Sequence, residues 1–519
     1  MRAFTEPLHE LSGFEEMTKE AQKTGLITIS GCIDAQKSHM IYGIGNGRKN
    51  KVIVTFHEQK AKELYDDHRF FEPNTVNYPA KDILFYQSDI RGNLLTAERI
   101  RALRAIHEQQ EVTVITTFDA LMNTMAPPKT LWDSIRRIEP GDTVVLDELV
   151  ARLVQMGYEK EYQVDTVGQF ALRGGILDVY PLTEDNPVRI EMWGDEVDTI
   201  RSFDVESQKS IENLEELVIY PACELVLDDE EKQAGIARFL KEAKTFASKL
   251  KKEMKTEEAH RALSTAQELA EEWGELSVTA GMDAYLSYFS EARVGLLDYF
   301  DPADTYLFFD ELSRCTERGK QTEVEFAESM KQRLEKGYIL PGQMKELFGF
   351  KEVMGKIERY SCITVSALDV KTNGLKSNGQ YGIHVKSVNA YNNSFELLIK
   401  DLQHYKKNGY RIILLSGSRT RAERLASDIM NEGLNCFYTD DYDHELLPGQ
   451  IMVCYGKVHK GYEYPILQFA VITETDIFGA ERKKRKRHRT YEGEKIQSFT
   501  ALNVGDYVVH ENHGLGVYK

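Results

Sequence analysis

The chain has 519 residues, 42% of them hydrophobic and 29% charged, which fits a soluble globular protein of three or four domains of about 150 residues each. Its 65 Lys and Arg against 83 Asp and Glu leave a net charge of −18, which disfavours indiscriminate nucleic-acid binding by the whole surface. Apolar runs such as 26–29 and 412–415 are far too short for a membrane span, and the N-terminus lacks the apolar core of a secretory signal. Six scattered cysteines without a CxxC pair argue against a zinc site and a disulfide framework, so a cytoplasmic protein with no membrane partner is expected.

From residue 26 to 125, short apolar runs alternate with helical patterns. Segments 26–30, 51–55 and 112–117 read as strands, and 58–67 and 94–109 as helices, the second with Leu95, Ile100, Leu103 and Ile106 at apolar positions. Such alternation implies a parallel sheet with helices on its faces. Directly after the first strand comes Gly31-Cys-Ile-Asp-Ala-Gln36-Lys37-Ser38. This is the spacing of a GxxxxGK[ST] phosphate loop, with Gln36 in place of the second glycine. A phosphate cradle turns backbone N–H groups inward and approaches its ligand closely, which a side chain at that point obstructs. Loss of nucleotide binding is expected.

The sequence Met125-Ala-Pro-Pro128 marks a boundary, after which residues 126–217 read as a mostly β insert with a helix at 144–156. Within it, a strand ending at Arg173 turns on Gly174-Gly175 into the run 176–180, which stops at Pro181. Segments 187–193 and 196–203 then form two strands joined by a tight Gly194-Asp195 turn. Strand period puts Arg189, Glu191 and Trp193 on one face and Ile190 and Met192 on the other. A fork-shaped cation beside a large aromatic is a combination enriched at protein interfaces. Pattern alone leaves open a plain surface ion pair beside a partly buried Trp.

Residues 224–275 swing to long charged helical patterns, and strand alternation resumes at 293–297 and 306–309. The second run ends in Asp310-Glu311, the form of a strand whose acids hold Mg²⁺ in nucleotide sites, a weak signal alone. Residues 320–336 read as a helix. A second α/β pattern begins near 357, with strands at 363–366, 384–386, 411–415, 451–454 and 469–473 and a helix at 394–407. Its turn Ser416-Gly-Ser-Arg-Thr420 could hold phosphate, or Ser418 or Thr420 could cap the next helix. The run Arg482, Lys483, Lys484, Arg485, Lys486, Arg487, His488, Arg489 reads as a flexible basic linker, with contact to phosphate backbone left open. In 501–519 two histidines without a third ligand give no metal site, and a lone hairpin there looks like the start of a further domain.

Three segments carry a family resemblance: RGGILDVYP, PVRIEMWGDEVDTIRSFDVESQKS and YPAKDILFYQSDIRGNLLTAERIRAL. Together they resemble the region shared by the excinuclease protein UvrB and the bacterial transcription-repair coupling factors. NVGDYVVHENHGLGVYK, after a basic linker, resembles the start of the coupling factors' polymerase-interacting module. The chain is thereby identified as similar to the N-terminal half of a coupling factor.

The resemblance implies an α/β fold. Residues 1–125 and 218–350 would form a degenerate RecA/helicase-like parallel-sheet lobe, interrupted by the 126–217 insert that docks on the excinuclease protein UvrA. Residues 351–478 would form a second small α/β domain, 479–500 the linker, and 501–519 the start of a small β module of SH3/Tudor type. Carried over by motif, the UvrA contacts fall on Arg173, Arg189 and Trp193, with Phe203 and Asp204 adjoining. The degenerate nucleotide site comprises Gly31, Gln36, Lys37, Ser38, Asp310 and Glu311. No catalytic residue and no cofactor are expected in this stretch. ATP and Mg²⁺ would belong to a translocase motor further along the full-length family, which also engages DNA, and RNA polymerase through its β subunit. The aromatic DNA-clamping hairpin of UvrB has no counterpart, since residues 77–82 lead almost directly to 96–100. The competing reading is a UvrB-like ATP-dependent DNA-damage-processing component, which requires ATP at Lys37, Ser38, Asp310 and Glu311.

Overall fold

The structure is a computed structural model that describes residues 1–81, 93–108, 111–275, 282–290, 292–369, 375–479, 507–510 and 514–517. The run 482–489 and the stretch 82–92 lie outside the described residues.

Strands β1 (Gly25–Ser30), β2 (Asn50–Thr55), β3 (Thr75–Tyr78) and β4 (Thr113–Thr117) alternate with helices Lys37–Gly45, Glu58–Phe71 and Asn93–Glu108. Residues of β1, β2 and β4 are buried almost without a break, as a parallel sheet covered on both faces requires.

The chain then leaves this sheet and forms β5 (Arg136–Ile138), β6 (Glu159–Lys160), β7 (Gln169–Arg173), β8 (Ile176–Val179), β9 (Val188–Trp193), β10 (Glu196–Phe203), β11 (Ser210–Asn213) and β12 (Leu217–Ile219). Six of these make one sheet in the order β11-β10-β9-β8-β7-β6, and β12 pairs with β5. Burial on β9 alternates as the period-two pattern predicts. Val188 and Ile190 face a core shared with Leu149 and Leu153 of the helix Leu146–Gln155, while Arg189, Glu191 and Trp193 face outward. Trp193 pairs with Glu196 across the Gly194-Asp195 turn, where Gly194 carries φ 64°.

Helices Asp229–Lys252 and Thr256–Glu275 pack on one another through Phe239, Phe246 and Trp273. The first starts in a capping box, with Asp228 accepting from the Glu231 N–H at 2.7 Å and Glu231 from the Asp228 N–H at 3.1 Å. The chain then returns to the first sheet as β13 (Thr305–Asp310), β14 (Ser361–Ser366) and β15 (Ser377–Gly382). The completed seven-stranded sheet has the order β15-β1-β14-β13-β2-β4-β3, parallel throughout.

Two expectations differ from this arrangement. The run 293–297, read as a strand, contributes only a bridge from Val294 to Met125 before the 3-10 turn Leu296–Tyr299. The division at residue 350 also shifts. Fully buried β14 lies between β1 and β13, so the first sheet continues to Gly382.

A second sheet follows, built from β16 (Lys386–Ser387), β17 (Arg411–Ser416), β18 (Phe437–Tyr438), β19 (Ile451–Tyr455), β20 (Tyr462–Tyr464) and β21 (Phe469–Thr473). Its order is β16-β20-β21-β17-β19-β18. One face joins a core with the first sheet, in which Ile27, Ile53 and Phe308 pack with Ile413, Tyr464 and Phe469. Residues 1–479 form one compact unit, and residues 480–519 a second. Within the latter, β22 (Tyr507–His510) and β23 (Gly514–Val517) pair as an antiparallel hairpin. Among the described residues no helix is long and apolar enough to cross a membrane.

Candidate functional site

The outer face of the insert sheet gathers charge at its centre. Register sets Asp178 of β8 opposite Arg189 of β9, and Arg189 opposite Arg201 of β10. Arg189 donates to Asp178 through both Nε (2.6 Å to Oδ1) and Nη2 (2.8 Å to Oδ2), and Arg173 Nη2 donates to the same Oδ2 at 2.6 Å. The Asp178 hydrogen bond dominates the forces that raise the Arg189 pKa, so this guanidinium stays charged. Arg201 bonds Glu191, which also accepts from the Thr199 hydroxyl at 3.1 Å. Beyond this cluster Trp193 is 82% exposed, which overturns the partly buried reading of its ring.

Arg173, Arg189 and Trp193 thus share one face, whereas Phe203 and Asp204 play other parts. Phe203 is 1% exposed, and its ring lies under the Arg189 guanidinium, 4.6 Å from the cation. Two residues after Arg201 on β10, Phe203 falls by alternation on the face of Arg189, and its buried ring supports that guanidinium rather than displaying a surface. Asp204 closes the turn after β10, accepting from the Ser207 N–H at 2.8 Å and hydroxyl at 2.6 Å, and these bonds lower its pKa. The turn sets Gln208 at φ 57°, where its Oε1 accepts from Arg189 Nη2 at 3.3 Å.

At the degenerate phosphate loop, Lys37 is 1% exposed and surrounded by acids. Its Nζ donates to Asp310 Oδ1 at 2.6 Å and Glu311 Oε1 at 2.9 Å, and lies 3.0 Å from Asp34 Oδ1. Burial alone would lower the Lys37 pKa, but the carboxylates, Asp310 foremost, raise it. Burial likewise pushes Asp34 up, yet Lys37 and Lys60 hold it at about 2. Thr55 donates to the other Asp310 oxygen at 2.8 Å, and the Ala367 N–H donates to Glu311 at 2.8 Å.

Residues Asp34–Gln36 form a 3-10 turn that runs straight into the helix Lys37–Gly45, whose second residue, Ser38, is buried. Gln36 is fully buried, and its Nε2 donates to the Tyr464 hydroxyl of β20 at 2.8 Å. Gly31 sits at φ 83°, where a Cβ would stand 2.0 Å from the Ile383 carbonyl oxygen. The loop therefore keeps its glycine, lysine and acids but uses them to join strands and sheets.

A family model described as the UvrB interaction domain matches residues 137–225, which hold the whole outer face. The chain is 30% identical over 513 residues to the transcription-repair-coupling factor of Bacillus subtilis (strain 168), covering 98% of this chain and 42% of that protein. To the transcription-repair-coupling factor of Staphylococcus haemolyticus (strain JCSC1435) it is 31% identical over 487 residues, 91% of this chain and 40% of that one. Over nearly its whole length the chain is similar to transcription-repair-coupling factors. It spans about two fifths of the length of the curated relatives it matches.

Sequence reasoning missed Asp178, Gln208 and Asp34. Asp178 carried a signal: it is a lone carboxylate inside the apolar run Ile176–Val179, where only a cationic partner makes burial tolerable. Gln208 and Asp34 carried none, because their roles depend on turn geometry. At the turn after β17, Ser418 accepts from the Arg421 N–H at 3.3 Å and caps the helix Arg419–Asn431. Glu474 accepts from the Gly417 N–H, the Ser416 hydroxyl (3.0 Å) and Arg421 (2.6 Å), so a carboxylate takes the donors that a phosphate would use. Among the described residues no group of His, Cys, Asp and Glu could hold a metal ion.

Proposed function

We propose that this part of a coupling factor is the adaptor of transcription-coupled nucleotide excision repair. It recruits the excinuclease protein UvrA, through the outer face of β7–β10, to an RNA polymerase stalled at a DNA lesion. The observation that carries this reading is the 82% exposed Trp193 beside the Asp178-bound Arg173 and Arg189, within the residues that match the UvrB interaction domain. A large exposed aromatic next to ordered guanidinium groups is the composition of an interface hot spot. Polymerase contact through the module that contains Tyr507–His510 and Gly514–Val517, DNA engagement, and an ATP- and Mg²⁺-driven translocase belong to the full-length family, and the phosphate-loop remnant here takes no nucleotide. Such a protein works in the cytoplasm, where the nucleoid and both partners lie.

Titration of the chain with purified UvrA tests the proposal. Trp193→Ala should weaken binding by about 2 kcal/mol, roughly thirtyfold. Its melting temperature should not change, because the ring buries almost nothing in the free chain. Affinity unchanged in both Trp193→Ala and Arg173→Ala would sink the assignment of this face.

A further inference from the structure

The two arginines of the docking face are not independent surface cations. Asp178 lies on β8, between the strands that carry them, and is 1% exposed with both oxygens in use. Arg189 meets it edge-on with two parallel bonds, rests on the Phe203 ring at 4.6 Å and bonds Gln208 at 3.3 Å. Arg173 meets it through Nη2 alone, and its side chain is 39% exposed. A guanidinium is a planar fork of five donors, so fixing one edge on a buried acid also fixes where the remaining donors point. Glu191 holds Arg201, the neighbouring cation in register with Arg189.

We propose that Asp178 is a positioning residue for docking. It holds the Arg173 and Arg189 guanidinium groups at a set spacing, so that their outward N–H edges together receive a carboxylate of the partner protein beside Trp193. The inference rests on the reading of this face as the UvrA site. It differs from simple attraction in the sign of one effect. Arg173, Arg189 and Arg201 against Asp178 and Glu191 leave the cluster at +1, and neutralising Asp178 raises it to +2. Were attraction alone in command, Asp178→Asn would tighten binding of an acidic partner. Under positioning it weakens binding, because the amide keeps one acceptor oxygen and turns an NH₂ group toward a guanidinium.

The test titrates the 519-residue chain and its Asp178→Asn, Gln208→Ala and Trp193→Ala variants with purified UvrA at several salt concentrations, with circular dichroism and thermal melts alongside. Asp178→Asn should bind about tenfold more weakly and with a shallower salt dependence, because the released arginines no longer meet the partner's acid together. A purely structural role would lower the melting temperature and leave the salt slope of the folded fraction unchanged. Gln208→Ala, a surface change that leaves Asp178 in place, should weaken binding about threefold, so the proposal stays testable if Asp178→Asn does not fold.

Equal or tighter binding by folded Asp178→Asn overturns the positioning role, as does unchanged binding by Gln208→Ala where the first variant is unfolded. Weakening by Trp193→Ala without weakening by Asp178→Asn removes the positioning role and leaves the docking face standing. If Trp193→Ala also binds normally, the docking face itself falls.

Discussion

At the residue scale, Gln36 and Lys37 decide what becomes of the phosphate loop. In a working loop the lysine reaches for phosphate oxygens, whereas here Asp310, Glu311 and Asp34 hold it within 3.0 Å. A nucleotide would have to displace three carboxylates and add its own negative charge beside them. Restoring the missing glycine therefore should not restore the site. Gln36→Gly is expected to show no Mg-ATP affinity by calorimetric titration, and measurable binding would revive the enzymatic reading. The same variant should lose about 1 kcal/mol of stability with the Tyr464 hydrogen bond. The letters of the motif were legible in the sequence, and so was the damage. What occupies the damaged position was not, because Tyr464 lies 428 residues away.

The element scale separates local from distant pairing. The β9–β10 hairpin could be read almost to its ends, since period-two alternation and the Gly194 turn lie within sixteen residues of chain, Val188–Phe203. Alternation carries Phe203 to the face of Arg201 and Arg189, yet it does not show that the Arg189 guanidinium lies over the ring and covers it, which is a matter of side-chain packing. Strand β14 was assigned to the wrong sheet for a related reason. Its apolar run shows that it is buried, but nothing local says beside which strands. The first glycine of the phosphate motif is now required by Ile383, where β15 leaves β1. Gly31→Ala combines a left-handed backbone with a collision against a carbonyl oxygen and should cost about 2 kcal/mol or more. Denaturant unfolding measures it, and an unperturbed midpoint would show that β15 can shift away.

For the whole molecule, the insert, the first sheet and the second sheet differ in how far they stand alone. The insert sheet has its own core, and the helix Asn93–Glu108 holds it through Arg101 on the Leu182 carbonyl (2.9 Å) and Arg104 on Glu184 (2.6 Å). Buried Arg99 joins Glu224, at the insert's exit, to Tyr78 at the end of β3. Burial would raise the Glu224 pKa, yet Arg99 and Lys81 hold it at about 2, so the clamp stays ionised at neutral pH. The first and second sheets instead share side chains, and Arg411 clasps Glu10 with two bonds of 2.7 Å. A fragment ending at residue 350 lacks β14 and β15, the strands on either side of β1, and should fail to fold, whereas residues 1–479 should melt in a single transition. Circular dichroism with hydrogen exchange distinguishes the outcomes, and a native-like melt from the shorter fragment would contradict this account of the sheet.

The place of β1 also has a consequence for synthesis. Both of its neighbours, β14 and β15, come from the far end of the compact unit, with Gly25 paired to Ser361, 361 − 25 = 336 positions later. At about 5–20 residues per second a ribosome needs roughly 15–70 s to bridge that interval. The insert can meanwhile complete its hairpins, which close over a few residues, but β1 waits with both edges bare. This topology couples high contact order to vectorial emergence, and it makes the nascent N-terminal strand the segment that most needs a chaperone.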